Sequence, residues 1–203
     1  MSCQRCGTVG SNGVAIGGNV SKAAEAQGII DAAIKNFGRL DILVNNSGVY
    51  EFLPIESVTE EHYHRLFNTN VLGVLLVTQA AVKHLGEGGT IINIGSAVSE
   101  VHPPASAVYT GTKAALDAIT GVLANELGAR KIRVNSLNPG MVVTEGSQTA
   151  GFTGSDLEKN VVAQTPLGRI GQVDDIAGVA VFLASDEAKW ITGDKIVVSG
   201  GIR

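Results

Sequence analysis

Tyr109 and Lys113 stand four residues apart, so a helix over residues 108–128 puts phenol and ammonium one turn apart on a single face. Thirteen residues before the tyrosine, Ser96 follows the apolar run Thr90-Ile91-Ile92-Asn93-Ile94-Gly95, whose composition is that of a buried strand. A hydroxyl at a strand's carboxyl end, facing a helix that carries a phenol and a cation, is a proton-transfer constellation. The free phenol titrates near pH ~10, too high for acid–base work at neutrality. A neighbouring cation favours phenolate and brings it closer to that range. Taken alone, the Tyr-x-x-x-Lys spacing equally suits a packed tyrosine beside a solvated lysine, so the surrounding elements decide between the two.

Those elements alternate. Ala23 to Phe37 has helical composition, with Ser21 as its expected N-cap, Ile30, Ala33, Ile34 and Phe37 on one stripe, and Gly38 as its stop. Leu40 to Val44 is a near-continuous apolar run, as expected for a strand covered on both faces, and it ends in Asn45-Asn46-Ser47-Gly48. Thr59 with Glu60 and Glu61 marks a helix start, and that helix is expected to reach about Leu85, with Asn70 beside Gly73 in its middle. A mid-helix Asn near a Gly is unfavourable by propensity. Residues 132–137 and 195–198 complete the strands, and 173–185 forms a last helix. Residues 145–168 are polar and Gly-containing, the composition of a mobile lid. Strands alternating with helices at this spacing predict an α/β fold with a parallel sheet covered on both faces. Ligands of such sheets bind beyond the strands' carboxyl ends. Asn46, Gly48, Ser96, Pro139 and Gly140 all fall there.

The chain has 203 residues, 44% of them hydrophobic and 17% charged, and a net charge of −4. So low a charged share, against about 25% in ordinary domains, suits a large core and an oligomer interface. It argues against nucleic acid as a partner. With neither a long apolar run nor a charged-then-apolar leader, no membrane partner is expected and the expected location is cytoplasmic. Residues 1–13, rich in Gly, Ser and Asn, are expected to be a disordered tail, and 14–203 a single domain. Cys3 and Cys6 form a C-x-x-C without a second ligand pair for zinc or the strand-then-helix context of a redox site. No metal is expected.

Asn45-Asn46-Ser47-Gly48, Asn70, Ser96, Tyr109 with Lys113, Asn138-Pro139-Gly140 followed by Thr144, and the ending Ser199-Gly200-Gly201 occur here in the order of one family's motifs. From residue 14 onward the chain resembles the short-chain dehydrogenase/reductase family. The resemblance implies a Rossmann-like doubly wound sheet and interconversion of a secondary alcohol and a ketone or aldehyde, with NAD or NADP as cofactor. It also implies a small-molecule substrate and a homodimer or homotetramer. It makes Tyr109 the acid–base and Lys113 the group that lowers its pKa and holds the nicotinamide ribose. Ser96 orients the substrate oxygen, and Asn70 holds a water that links Lys113 to solvent. For the cofactor it implies Asn19 and Val20 beside the adenine, and Asn46, Ser47 and Gly48 near the adenosine ribose. Pro139, Gly140 and Val142 flank the nicotinamide, and Thr144 reaches its amide or the phosphates. The family's second Asn, the counterpart of Asn46, also ties neighbouring strands.

The chain departs from the pattern at its front. The family opens with a strand, a Thr-Gly-x-x-x-Gly-x-Gly turn, a helix and a second strand before the counterpart of Val14, and none of these is present. Gly7, Gly10 and Gly13 have no strand before them and do not replace the turn. The expectation is an N-terminally truncated, incomplete Rossmann-like sheet that lacks the first two strands and the pyrophosphate-binding turn. Two outcomes follow for the strand over residues 40–45. Either the Val14 segment slides across a gap of about two to three strand spacings to pair with it, or its edge stays open. The alternative function is a catalytically inactive remnant that assembles through its long helices, using small faces such as Ala114, Ala115, Ala118 and Val122. Substrate identity rests on residues 99–107 and 145–168. Val101, Pro103 and Pro104 suggest a partly apolar wall, and Glu100, Glu145, Asp156, Glu158 and Lys159 are the charged anchors available.

Overall fold

The computed structural model describes residues 13–149, 151–152 and 154–203. Cys3, Cys6, Gly7, Gly10 and the tail expectation for residues 1–12 lie outside them. Helix α1 spans Ala23–Phe37, and Gly38 ends it at φ +75°, a left-handed conformation that glycine adopts without a Cβ penalty. Its cap position is Lys22, not Ser21, and carries no side-chain cap. The serine hydroxyl instead donates to Asn19 Oδ1 at 2.8 Å, closing a turn in front of the helix.

Strands β1 (Leu40–Asn45), β2 (Leu85–Ile94), β3 (Arg133–Pro139) and β4 (Lys195–Val198) pair in chain order, all parallel. The register aligns Leu43, Ile91 and Val134 on one face, where they pack with Ala26 and Ile30 of α1 and with the helices α3 (Gly73–Ala81) and α5 (Ala107–Leu127). On the other face Ile92 and Leu137 pack against Leu183 of a further helix over Val173–Ala184. Because successive strand residues point to opposite faces, helices on both sides make this the expected doubly wound arrangement.

Of the two outcomes expected for the β1 edge, the described residues show the open one, and a separate expectation for the strand is corrected. The Val14 segment forms no strand, and Val14 and Ile16 are exposed, so β1 pairs only with β2 among the described residues. Nor is β1 covered on both faces. Leu43 and Asn45 are buried, but Ile42 and Val44 are 45% and 46% exposed, because the described helix on that side packs chiefly on β2 and β3. The strand keeps its two-sided apolar character with only one side packed.

The long helix starts as expected, with Thr59 Oγ1 accepting from His62 N at 3.1 Å. It ends at Ala81, short of Leu85, and it is not uniform. After α2 (Glu60–Phe67) one wider turn, Asn68–Leu72, runs with a π-type bond from Gly73 N to Asn68 O before α3 resumes. Gly73 is required there, since a Cβ would come within 2.7 Å of Val20 Cγ2. The 145–168 segment carries secondary structure of its own. It contains the short helix Glu145–Thr149 and the helix Asp156–Gln164, the second capped by Ser155 Oγ accepting from Glu158 N. No helix among the described residues is long and apolar enough to cross a membrane, and no cluster of metal-ligating side chains occurs among them.

Candidate active site

Beyond the carboxyl end of β2 the chain turns through Gly95 and Ser96 into the short helix α4 (Val98–Val101), and α5 lies across that turn. Lys113 is buried, and its Nζ donates to the carbonyl oxygen of Ile94, the last residue of β2, at 2.7 Å. The same Nζ lies 5.8 Å from the centroid of the Tyr109 ring, and the Ser96 hydroxyl is placed to favour the ionised phenol. Serine, phenol and ammonium therefore come together at one strand end.

Asn70 joins them through its backbone setting. Its Oδ1 accepts from Val49 N at 2.8 Å, and its Nδ2 donates to Val49 O at 2.8 Å and to Thr112 Oγ1 at 3.0 Å. An asparagine disfavoured in a helix is here fully buried, and it staples the strand β1 exit loop to the helix that carries Tyr109 and Lys113. Gly48 lies directly beside it. A Cβ on Gly48 would meet Asn70 Oδ1 at 3.4 Å and Lys113 Nζ at 3.8 Å, so a larger residue would fill the space next to the ammonium.

The electrostatics differ from the expected pattern. Burial pushes the Tyr109 phenol above its ordinary value, the hydrogen bond with Ser96 pulls it back, and the neighbouring Tyr50 raises it further. The net shift of the phenol is upward with burial as its largest cause, whereas the spacing alone predicts a lowered value. Lys113 is pushed down to about 8 by burial, against the carboxylate of Asp117, which favours its charge.

Asp117 was not anticipated, although Tyr109, Lys113 and Asp117 follow an i, i+4, i+8 spacing that places all three on one helical stripe. Its carboxylate accepts from Ser99 Oγ at 2.8 Å, from Ser136 Oγ at 2.9 Å and from Asn138 Nδ2 at 3.0 and 3.1 Å. This knot ties α5 to α4 and to the end of β3. It also explains Gly95, where a Cβ would fall 2.0 Å from Asn138 Oδ1. Nor does Asn46, which is exposed, tie the strands. Asn45 does so, with Nδ2 donating to Asn93 Oδ1 at 2.9 Å, and Asn93 Nδ2 donates onward to Thr120 Oγ1 at 2.9 Å. Tyr50 and Phe52, also unanticipated, flank the Tyr109 ring, and Phe152 packs on both of them.

The remaining candidates are spread along the rim. Asn46, Ser47 and Gly48 are exposed at the exit of β1. Pro139 O accepts from Ala97 N, and Gly140 sits against Ser199, where a Cβ would come within 2.9 Å of its Cα. Val142 forms a parallel bridge with Gly171. Thr144 Oγ1 accepts from Ser147 N, and Thr144 lines an open groove of about 550 Å³ with Val143, Glu145, Gly146, Gln148 and Val173. Asn19 Oδ1 is engaged by Ser21, and Val20 packs on Gly73, so both anchor the start of α1 against the π-type turn. A nicotinamide riboside fits this set. An ammonium offers three donors, and Ile94 O takes one of them, beside a glycine that leaves room. No glycine-rich strand–turn–helix for a pyrophosphate occurs among the described residues.

The family model described as enoyl-(acyl carrier protein) reductase matches residues 3–203. An uncharacterized oxidoreductase of Methylorubrum extorquens is 66% identical over 194 residues, covering 96% of this chain and 78% of the relative. A short-chain dehydrogenase/reductase from Serratia marcescens superposes with a TM-score of 0.90 at 35% identity, over 96% of this chain and 78% of that one. A blue fluorescent protein from a metagenomic library, solved in complex with NADPH, does so with a TM-score of 0.90 at 34% identity, over 98% and 79%.

Proposed function

The chain belongs to the short-chain dehydrogenase/reductase family, and from that premise we propose that it interconverts a secondary alcohol and a ketone or aldehyde with NAD or NADP. The observation that carries this reading is the meeting of Ser96, Tyr109 and Lys113 at the end of β2, braced by Asn70. When bound, the nicotinamide supplies or accepts the hydride. Ser96 Oγ and the Tyr109 hydroxyl both donate to the substrate oxygen, which polarises the carbonyl and fixes its orientation. In reduction the carbonyl carbon gains a hydride and its oxygen takes the Tyr109 proton, leaving a phenolate. Oxidation is the reverse, with the phenolate receiving the alcohol proton. The Lys113 ammonium, held by Ile94 O, stabilises that phenolate and offers its other donors to the nicotinamide ribose. Asn70 fixes the distance between β1 and α5, and a water on this path would carry the proton out.

For the cofactor, Asn46, Ser47 and Gly48 suit the adenosine ribose, and Pro139, Gly140, Val142 and Thr144 the nicotinamide end. Asn19 offers the adenine its amide N–H groups, beside Val20. Assembly into a homodimer or homotetramer would use the exposed Ala114, Ala118 and Val122 of α5 together with Leu72 and Leu75. Titration with NADH and with NADPH, read as nicotinamide fluorescence, is expected to give saturable enhancement with one or both. No change at millimolar cofactor contradicts the reading and favours a non-catalytic subunit.

A further inference from the structure

Of the chain's one Trp, three Tyr and five Phe, four residues meet at the proposed acid–base. The Tyr109 ring has Phe52 at 5.8 Å and Tyr50 at 6.4 Å between centroids, both nearly edge-on. Phe152, reaching over from beyond helix Glu145–Thr149, lies 5.8 Å from Tyr50 and 6.3 Å from Phe52. These separations fall in the range at which aromatic rings attract one another. Tyr50 and Phe52 are nevertheless 40% and 37% exposed, so part of each residue still faces water. The Tyr50 hydroxyl is spent on Gly146 O at 3.0 Å, which fixes the ring and leaves its apolar body to the site.

Several charged side chains close in sequence to these elements have partners within the protein. Glu51 pairs with Arg65, Glu100 with Lys195, Asp156 with Lys159, and Glu158 accepts from Gly154 N. Glu100, Asp156, Glu158 and Lys159, named above as charged anchors, are therefore engaged within the chain. A ligand meets an aromatic wall on one side of Tyr109 and two hydroxyl donors at its centre.

We propose that the substrate is a flat aromatic ketone or the matching aryl carbinol, with its ring packed against Tyr50, Phe52 and Phe152 and its oxygen at Ser96 and Tyr109. This assignment rests on the oxidoreductase reading and narrows it. Sugars and polyols, which need many hydrogen-bond partners, find a surface that offers few.

The test measures direct binding by equilibrium dialysis on the full chain, with indanone, its saturated counterpart hydrindanone, and xylitol. Indanone is expected to bind saturably and more tightly than hydrindanone, and xylitol not to saturate. Phe52→Leu, which keeps apolar bulk and removes the ring, is expected to weaken indanone about five-fold and leave hydrindanone unchanged. Equal binding of the two ketones, or an unaltered indanone affinity in Phe52→Leu, overturns the aromatic assignment. NAD(P)H-dependent reduction of the ketones and NAD(P)+-dependent oxidation of xylitol, measured in parallel, separate the two claims. Indanone binding without reduction of any ketone supports the ring wall and overturns the oxidoreductase reading. Turnover of xylitol without indanone binding does the opposite.

Discussion

Tyr109→Phe lowers the turnover number for ketone reduction on the order of 10³-fold and leaves nicotinamide binding intact, because it deletes one proton and little else. The ring keeps its edge-on contacts with Tyr50 and Phe52, so the shape of the site is preserved. What disappears is the donor that reaches the developing alkoxide. Removing one hydroxyl from a ring whose packing is kept is far too small a change to unfold the chain. Turnover and cofactor affinity measured on the same preparation separate the two effects. Retained turnover would mean that another group supplies the proton.

Lys113→Met has the second large effect, and its sign is opposite for stability and for function. Burial holds the Lys113 ammonium down at about 8, against an ordinary value of 10.5. Between those two values the unfolded chain binds more protons than the folded one, so stability rises with pH across that window. Below about 8 both states are charged and the folded state bears the full penalty, about 3 kcal/mol for a shift of this size. Methionine fills similar volume without the charge, and it is expected to raise the unfolding free energy at neutral pH by roughly 1–3 kcal/mol. The gain should shrink as pH rises through the window, since the wild type sheds its own penalty there. Denaturant titrations of both proteins at neutral and alkaline pH check this, and the other titrating groups cancel in the difference. Turnover and cofactor affinity should both fall. A variant less stable than wild type at neutral pH would mean that Ile94 O and Asp117 more than compensate the buried charge.

Much of the scaffold was readable from local pattern. The apolar runs at Leu40–Val44, Thr90–Ile94 and Lys195–Val198 are strands, and Gly38 stops α1, because composition and backbone freedom act within a few residues. What sequence did not reveal depends on partners far along the chain. The π-type turn at Asn70 exists because the amide finds Val49 and Thr112, 21 and 42 residues away. Gly95 is forced by Asn138 across the sheet, and the ring wall needs Phe152 to return a hundred residues after Phe52. The Tyr–Lys spacing reports proximity, whereas the burial that shifts both groups is set by the whole fold. Ile42 and Val44 look like a covered strand because their pattern records two packed faces, and the described helix on one of those faces packs chiefly on β2 and β3.

The central claim is that a proton from Tyr109 and a hydride meet across one carbon–oxygen double bond. Reduction of cyclohexenone with deuterated NADH or NADPH tests it directly, because that molecule offers a carbonyl and an alkene together. The account predicts deuterium on the carbinol carbon of cyclohexenol, lost when Tyr109 is replaced by phenylalanine. Deuterium on the ring carbon beta to an intact ketone, or no transfer from either cofactor, would contradict it.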